Sequence, residues 1–161
     1  MARTTLHSLA AHGITPIRCD LLDPAQANRL PEADLVVYLV GRKFGSKGNE
    51  SLTWGTNVIA AHHAARRFRG ARIVALSTGC VYPVVHVDSG GATEETAPGP
   101  VGEYAMSCLG RERMFDYYAD RGEERVVHIR LNYAVECRYG VLVDIANRVW
   151  GDQPVDLTTG Y

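Results

Sequence analysis

Apolar residues are distributed along the chain in two rhythms. Leu35-Val36-Val37-Tyr38-Leu39-Val40 is an unbroken run, and Ala71-Arg72-Ile73-Val74-Ala75-Leu76-Ser77 and the segment 125–131 are further short, mostly apolar runs. Such runs read as strands, and an unbroken one is the pattern of a parallel sheet covered on both faces. Between the first two, Trp54, Val58, Ala61, Ala65 and Phe68 recur at spacings of four, three, four and three, which predicts one helical stripe ending at Gly70. A helix is also expected over 103–120, closed by Arg121-Gly122. Another carries Leu142, Ile145, Ala146 and Val149, stops at Gly151-Asp152-Gln153-Pro154, and leads into Val155-Asp156-Leu157. Upstream, Leu6, Leu9 and Ala10 before Gly13 predict a short helix, and Ile14-Thr15-Pro16-Ile17-Arg18-Cys19 predicts a strand. Pro16 cannot donate to a ladder, so that strand belongs at a sheet edge. Asp23-Pro24 opens a short helix to about residue 30, with Asp23 as N-cap. Strands alternating with helices mean βαβ units, hence an α/β fold with a parallel sheet. The segment 83–102 remains a long loop rich in Gly, Pro and acid, of a length usually associated with function or disorder.

Composition narrows what such a fold does. The 161 residues carry 17 Lys+Arg and 18 Asp+Glu, a net charge of −1, and 46% are apolar. This is one globular domain without the basic excess of a nucleic-acid binder. No apolar stretch approaches the roughly 20 residues of a membrane helix, and the N-terminus has no secretion signal. Cys19, Cys80, Cys108 and Cys137 lie far apart, with no zinc spacing, and read as free thiols in a reducing cytoplasm. His62 and His63 are adjacent and so face different sides of a helix, which makes them surface or packing residues rather than metal ligands. No metal site is expected.

Two segments could carry chemistry. Gly41-Arg42-Lys43-Phe44-Gly45-Ser46-Lys47-Gly48 follows a strand and precedes a helix, as a phosphate cradle would. Its spacing departs from both standard forms, since a P-loop needs glycine where Ser46 stands and a dinucleotide loop needs it at Lys43. The bland reading is a solvated loop with lysines. The second segment is Ser77-Thr78, at the carboxyl end of a strand, where open α/β sheets bind ligands, with Tyr104 entering the next helix across the long loop. Each residue alone has an ordinary explanation, Ser/Thr closing a strand and Tyr104 packing with Leu109 and Met114.

Taken together, several segments resemble one family. Val74-Ala75-Leu76-Ser77-Thr78-Gly79-Cys80-Val81-Tyr82 is similar to the strand-five signature of the extended short-chain dehydrogenase/reductases, the NAD-dependent epimerase/dehydratase group. Gly102-Glu103-Tyr104-Ala105-Met106-Ser107-Cys108 sits where that family has Tyr-x-x-x-Lys. Thr56-Asn57-Val58-Ile59-Ala60-Ala61 resembles its Asn-Val-x-Gly-Thr-type helix, and Cys19-Asp20-Leu21-Leu22-Asp23 its Gly-Asp-Leu segment after strand three. The four motifs occur in the family's order and cover nearly the whole chain.

The resemblance implies a Rossmann-like, doubly wound parallel sheet of order 3-2-1-4-5-6, with 14–19 as the edge strand three and 35–40 as strand four. The family's strands one and two and the glycine-rich loop have no counterpart, so the expected sheet is incomplete and the chain reads as truncated at both ends. Residues 1–138 would form a partial dinucleotide-binding domain and 139–161 the start of a substrate-binding region. The implied cofactor is NAD or NADP. Asp20 would contact adenine, and Leu21, Val40, Gly41, Asn57, Ser77 and Tyr104 would also line the cofactor. Gly41 would allow close backbone approach, and Arg3 would favour a 2′-phosphate. Tyr104 would exchange the proton while Thr78 holds the substrate oxygen, and Asn132 would lie near the substrate.

The implied activity is an epimerase/dehydratase-type oxidation and reduction of a small molecule, a nucleotide sugar or a similar hydroxyl/carbonyl compound. Cys108 stands where the family lysine would favour phenolate, so proton transfer is expected to be weakened or altered, with Arg111, two turns from Tyr104, a distant substitute. The alternative is a non-catalytic remnant or nucleotide-binding module of the same fold. Neither nucleic acid nor membrane is an expected partner. Related dimers pair through the helices flanking the active site, here 54–68 and 103–120, so the resemblance would allow a homodimer.

Overall fold

A computed structural model of the chain describes residues 9, 11–43, 47–123, 125–132, 137–138 and 140–155. Three strands, β1 (Leu35–Tyr38), β2 (Arg72–Thr78) and β3 (Arg125–Leu131), form one parallel sheet in the order β1-β2-β3. Leu35 lies opposite Arg72 and Arg72 opposite Arg125, so the strands start level and β2 and β3 run past β1 at the carboxyl edge. Helices α2 (Glu50–Trp54) and α3 (Ala60–Arg67), joined by a π turn (Gly55–Ile59), link β1 to β2. Helix α4 (Gly102–Ala119) links β2 to β3, and α5 (Val141–Trp150) follows. A four-residue helix α1 (Pro24–Ala27) precedes the sheet, with the Asp23 carboxylate accepting from the backbone N–H of Ala25 at 2.9 Å and of Gln26 at 3.3 Å.

Because the strand order advances in one direction, right-handed crossovers place both connections on the same face. On that face Tyr38, Ile73 and Ala75 pack against Ala61, Ala64 and Ala65 of α3 and Phe115 and Tyr118 of α4. Tyr38 meets Phe115 edge-on, ring centroids 5.0 Å apart. The small α3 residues let that helix lie close to the sheet. The opposite face is bare among the described residues: Leu35, Val37, Val127, Ile129 and Leu131 are between 44% and 57% exposed. The unbroken run 35–40 therefore does not have both faces covered, and its ladder ends at Tyr38, with Leu39 and Val40 beyond it.

Two further expectations change. Residues 14–19 carry no ladder hydrogen bonds and form no strand. A strand needs a neighbour, and where the family has strands one and two between strands three and four, no described strand lies beside 14–19. The helix expected over 54–68 is interrupted by the π turn, whose extra residue rotates everything after it. Asn57 is thereby turned fully inward while Trp54 and Ile59 remain partly exposed. The expected bounds of β2, α4 and β3 are met within a residue or two, and α1 spans four residues instead of reaching residue 30; the short helix expected around Leu6 and Ala10 and the segment Val155-Asp156-Leu157 lie largely outside the described residues.

Helix α4 crosses the π turn closely at Gly110, where an added Cβ would lie 2.9 Å from Val58 Cγ2. All four cysteines are free. No helix among the described residues is long and apolar enough to cross a membrane, and no His/Cys/Asp/Glu group there could hold a metal.

Candidate active site

The carboxyl end of β2 and the first turns of α4 converge on one point. Thr78 is buried in extended backbone and caps the 3-10 turn Gly79–Val81, its Oγ accepting from the Cys80 N–H at 3.2 Å. That contact uses an oxygen lone pair, so the hydroxyl proton stays available. The half-buried Tyr104 lies near the Thr78 hydroxyl and the thiol of Cys108, one turn along α4, and both act on its phenol. Burial pushes the Tyr104 phenol up to about 12 and the neighbouring Cys108 adds to this, while the Thr78 hydroxyl and the Arg111 charge pull the other way. Cys108 is itself fully buried, and burial pushes its thiol up and keeps it neutral.

The start of α4 is held from both sides. Trp54 Nε1 donates to the Glu103 carboxylate. Ser107 Oγ donates to the Tyr104 carbonyl at 2.9 Å and accepts from Asn57 Nδ2 at 2.8 Å. Asn57 also accepts from the Arg42 N–H at 2.7 Å and donates to the Arg42 carbonyl at 3.2 Å. Its amide thus ties the loop after β1 to the helix bearing Tyr104. Of the glycine-rich loop, residues 44–46 lie outside the described residues, as does Arg3. Gly41 is packed against Arg111: a Cβ there would fall 2.5 Å from Nη1, which donates to the Val40 carbonyl at 3.0 Å. Arg111 is thus buried against the loop after β1.

Asp20, Leu21 and Val40 come together as the walls of a cavity of about 220 Å³, completed by Cys19, Leu22, Thr56 and Ala60. Its size is below the roughly 300–1,000 Å³ of a whole small-molecule site, so it suits one ring of a longer ligand. The Asp20 Oδ1 atom accepts from the Leu22 N–H at 2.9 Å, and the Leu21 carbonyl accepts from His63 Nδ1 at 2.7 Å, which fixes this wall to α3. Asn132, at the end of β3, lies against Gly79: a Cβ on Gly79 would overlap its Oδ1 at 1.6 Å.

Behind the site lies a buried pair that the sequence reading did not single out. The Ser77 hydroxyl donates to the carboxylate of Glu112, which is 1% exposed. Arg130 holds the same carboxylate with two prongs, Nε at 3.1 Å and Nη2 at 2.8 Å, and stacks on Tyr82. Burial alone would push the Glu112 carboxyl up, but Arg130 and Ser77 outweigh it and hold it below the usual carboxylate value. The signal for this pair was the inward register of Arg130, which shares a strand face with Val126 and His128.

A strand-end Thr and a helical Tyr thus lie together at the sheet's carboxyl edge. The family model for the NAD dependent epimerase/dehydratase family matches residues 2–135. The chain belongs to that family. Solved structures share its fold at low identity. RMD from Pseudomonas aeruginosa, complexed with NADPH, is 24% identical with a TM-score of 0.69, over 87% of this chain and 53% of its own. UDP-glucuronic acid 4-epimerase from Bacillus cereus, in complex with NAD, is 18% identical with a TM-score of 0.72, over 92% of this chain and 49% of its own. The dTDP-4-dehydrorhamnose reductase from Bacillus anthracis str. Ames, in complex with NADP, is 17% identical with a TM-score of 0.67, over 84% and 48%. This member of the epimerase/dehydratase family therefore spans about half the length of the solved structures it resembles. No curated protein matches it in sequence.

Proposed function

We propose that the chain carries the tyrosine-centred part of an NAD(P)-dependent oxidoreductase site of the epimerase/dehydratase type, acting on a nucleotide sugar or a similar hydroxyl/carbonyl compound. The observation that carries this reading is the juxtaposition of Thr78 and Tyr104 at the carboxyl end of β2. The residues fit the dinucleotide: the cavity bounded by Asp20, Leu21 and Val40 suits its adenine end, and Gly41 follows Val40 directly in the chain. When bound, the nicotinamide supplies the hydride-accepting and hydride-donating ring. Thr78 orients a substrate oxygen through its hydroxyl, and Tyr104 gives or takes the proton at that oxygen. With a phenol held near 12, Tyr104 is protonated at neutral pH and acts more readily as proton donor than as base.

The fluorescence of NADH and NADPH titrated with the chain tests this. Saturable binding of either is expected, weakened about tenfold or more in Asp20→Ala, on the order of the effect of losing one charged hydrogen bond. Binding should persist in Tyr104→Phe, in which turnover of a substrate should be lost. Absence of binding to both dinucleotides would remove the reading; binding with turnover unaffected by Tyr104→Phe would remove its mechanism.

A further inference from the structure

Arg111 is the charged side chain near the site whose surroundings the reaction outlined above leaves unexplained. It is only 6% exposed, it forms no ion pair with a carboxylate among the described residues, and its Nε has no hydrogen-bond partner there. Its Nη1 is held by the Val40 carbonyl, and the absence of a side chain at Gly41 leaves room for it. The charge is therefore held in place and little screened, because the side chain is buried and no carboxylate among the described residues pairs with it. Three hydroxyl or thiol groups feel it, each in the sense of favouring the anion: Tyr104, Cys108 and, on β1, Tyr38.

Other ionisable groups facing this point contribute less or oppose it. Lys43, on the loop after β1, holds its ammonium 5.8 Å from the Tyr104 ring centroid but is solvent-exposed. Cys80 on the β2 turn and Glu112 on α4 act on Cys108 in the opposite sense, and the Glu112 charge is matched by Arg130. Cys108 has no positive charge to offer.

We propose that Arg111 is a positioning residue, the fixed cation of this site, reaching the Tyr104–Cys108 pair from two turns along α4 and acting on the reaction through the Tyr104 hydroxyl. This rests on the tyrosine-centred reading above. A lysine at position 108 would put a flexible ammonium beside the phenol; here the cation comes instead from a guanidinium clamped to the Val40 backbone. Its rigidity follows from packing at Gly41, so the two residues form one device.

The test is a titration that needs neither cofactor nor turnover, so its failure is separate from a failure of dinucleotide binding. Tyrosines are replaced by difluorotyrosine, whose more acidic phenol titrates at milder pH, and the Tyr104 fluorine resonance is identified with Tyr104→Phe. In Arg111→Gln, which can keep a donor for the Val40 carbonyl but removes the charge, the Tyr104 midpoint is expected to rise by about one pH unit, as loss of a close opposite charge implies. Arg111→Lys should stay near the parent value. Gly41→Ala, which displaces the guanidinium without changing residue 111, should also raise the midpoint, and it decides the matter if Arg111→Gln does not fold. Lys43→Gln should shift it by much less. An unchanged midpoint in Arg111→Gln, equal shifts in Arg111→Gln and Arg111→Lys, or a larger shift in Lys43→Gln than in Arg111→Gln or Gly41→Ala would overturn the proposal.

Discussion

Glu112 illustrates how a residue behind a site governs it. Its carboxylate is nearly inaccessible, and the two prongs of Arg130 and the Ser77 hydroxyl replace the water it loses. Removing one partner of a buried pair leaves the other uncompensated, which typically costs about 3–5 kcal/mol; Arg130 keeps some contact with solvent, so the lower end is expected for Glu112→Gln, read by urea denaturation. The double variant Glu112→Gln/Arg130→Met should recover much of that loss. Because the folded carboxyl titrates below its ordinary value of 4.5, the stability it contributes is present above that pH and is lost as pH falls below it. The acid limb of the stability profile should therefore flatten in Glu112→Gln, and an unchanged limb would show that the pair does not couple folding to pH. At this scale the Ser77-Thr78 and Tyr104 motif was legible because its residue types and order are specific. Arg111 and Glu112 were not, since nothing in a helical sequence distinguishes a charged residue facing solvent from one folded inward.

At the level of elements, the main unexpected feature is the π turn and the close crossing it allows. Helix α4 was legible from its boundaries, Gly102 at its start and Gly122 just after its end, both at positive φ. The break in the helix before it was not, because a single extra residue in a turn leaves the apolar spacing almost unaltered over two turns. Gly110 marks where the two meet. Replacing a helical glycine by alanine ordinarily gains up to about 1 kcal/mol in propensity. Here the new methyl would meet Val58 Cγ2 at 2.9 Å, and a β-branched neighbour has little rotamer freedom to yield, so an overpacking cost of about 1–3 kcal/mol opposes the gain. Gly110→Ala is therefore expected to be net destabilising by about 1 kcal/mol, measured by thermal or urea unfolding. Adding Val58→Ala should reverse the clash component. A stabilised Gly110→Ala would mean that α4 and the π turn separate easily, and with them the Asn57–Ser107 tie that holds Tyr104.

Across the whole molecule the sheet is lopsided. Strand order and crossover direction could be inferred from alternating elements, but the exposure of one face could not, because an apolar run looks the same whether its second face is packed or bare. Val37, Val127 and Ile129 present a continuous apolar surface on that face, and α5 presents another, with Leu142, Val149 and Trp150 all more than 60% exposed. Patches of this kind bind hydrophobic probes and promote association. The chain as given is expected to enhance the fluorescence of an apolar dye such as ANS and to show concentration-dependent sedimentation. The two surfaces can be told apart by substitution. Val127→Thr with Ile129→Thr keeps β-branched shape on the sheet, and surface changes of this type usually alter stability by only about 0.5 kcal/mol. Leu142→Lys with Val149→Lys does the same service on α5, where long side chains are good helix formers. If the sheet face dominates, dye emission and association should fall in the first pair and persist in the second, because a flat three-stranded surface offers more contiguous area than one helix side. The opposite ranking would place the exposed surface that matters on α5, and a chain that neither binds the dye nor associates would contradict the exposure of both.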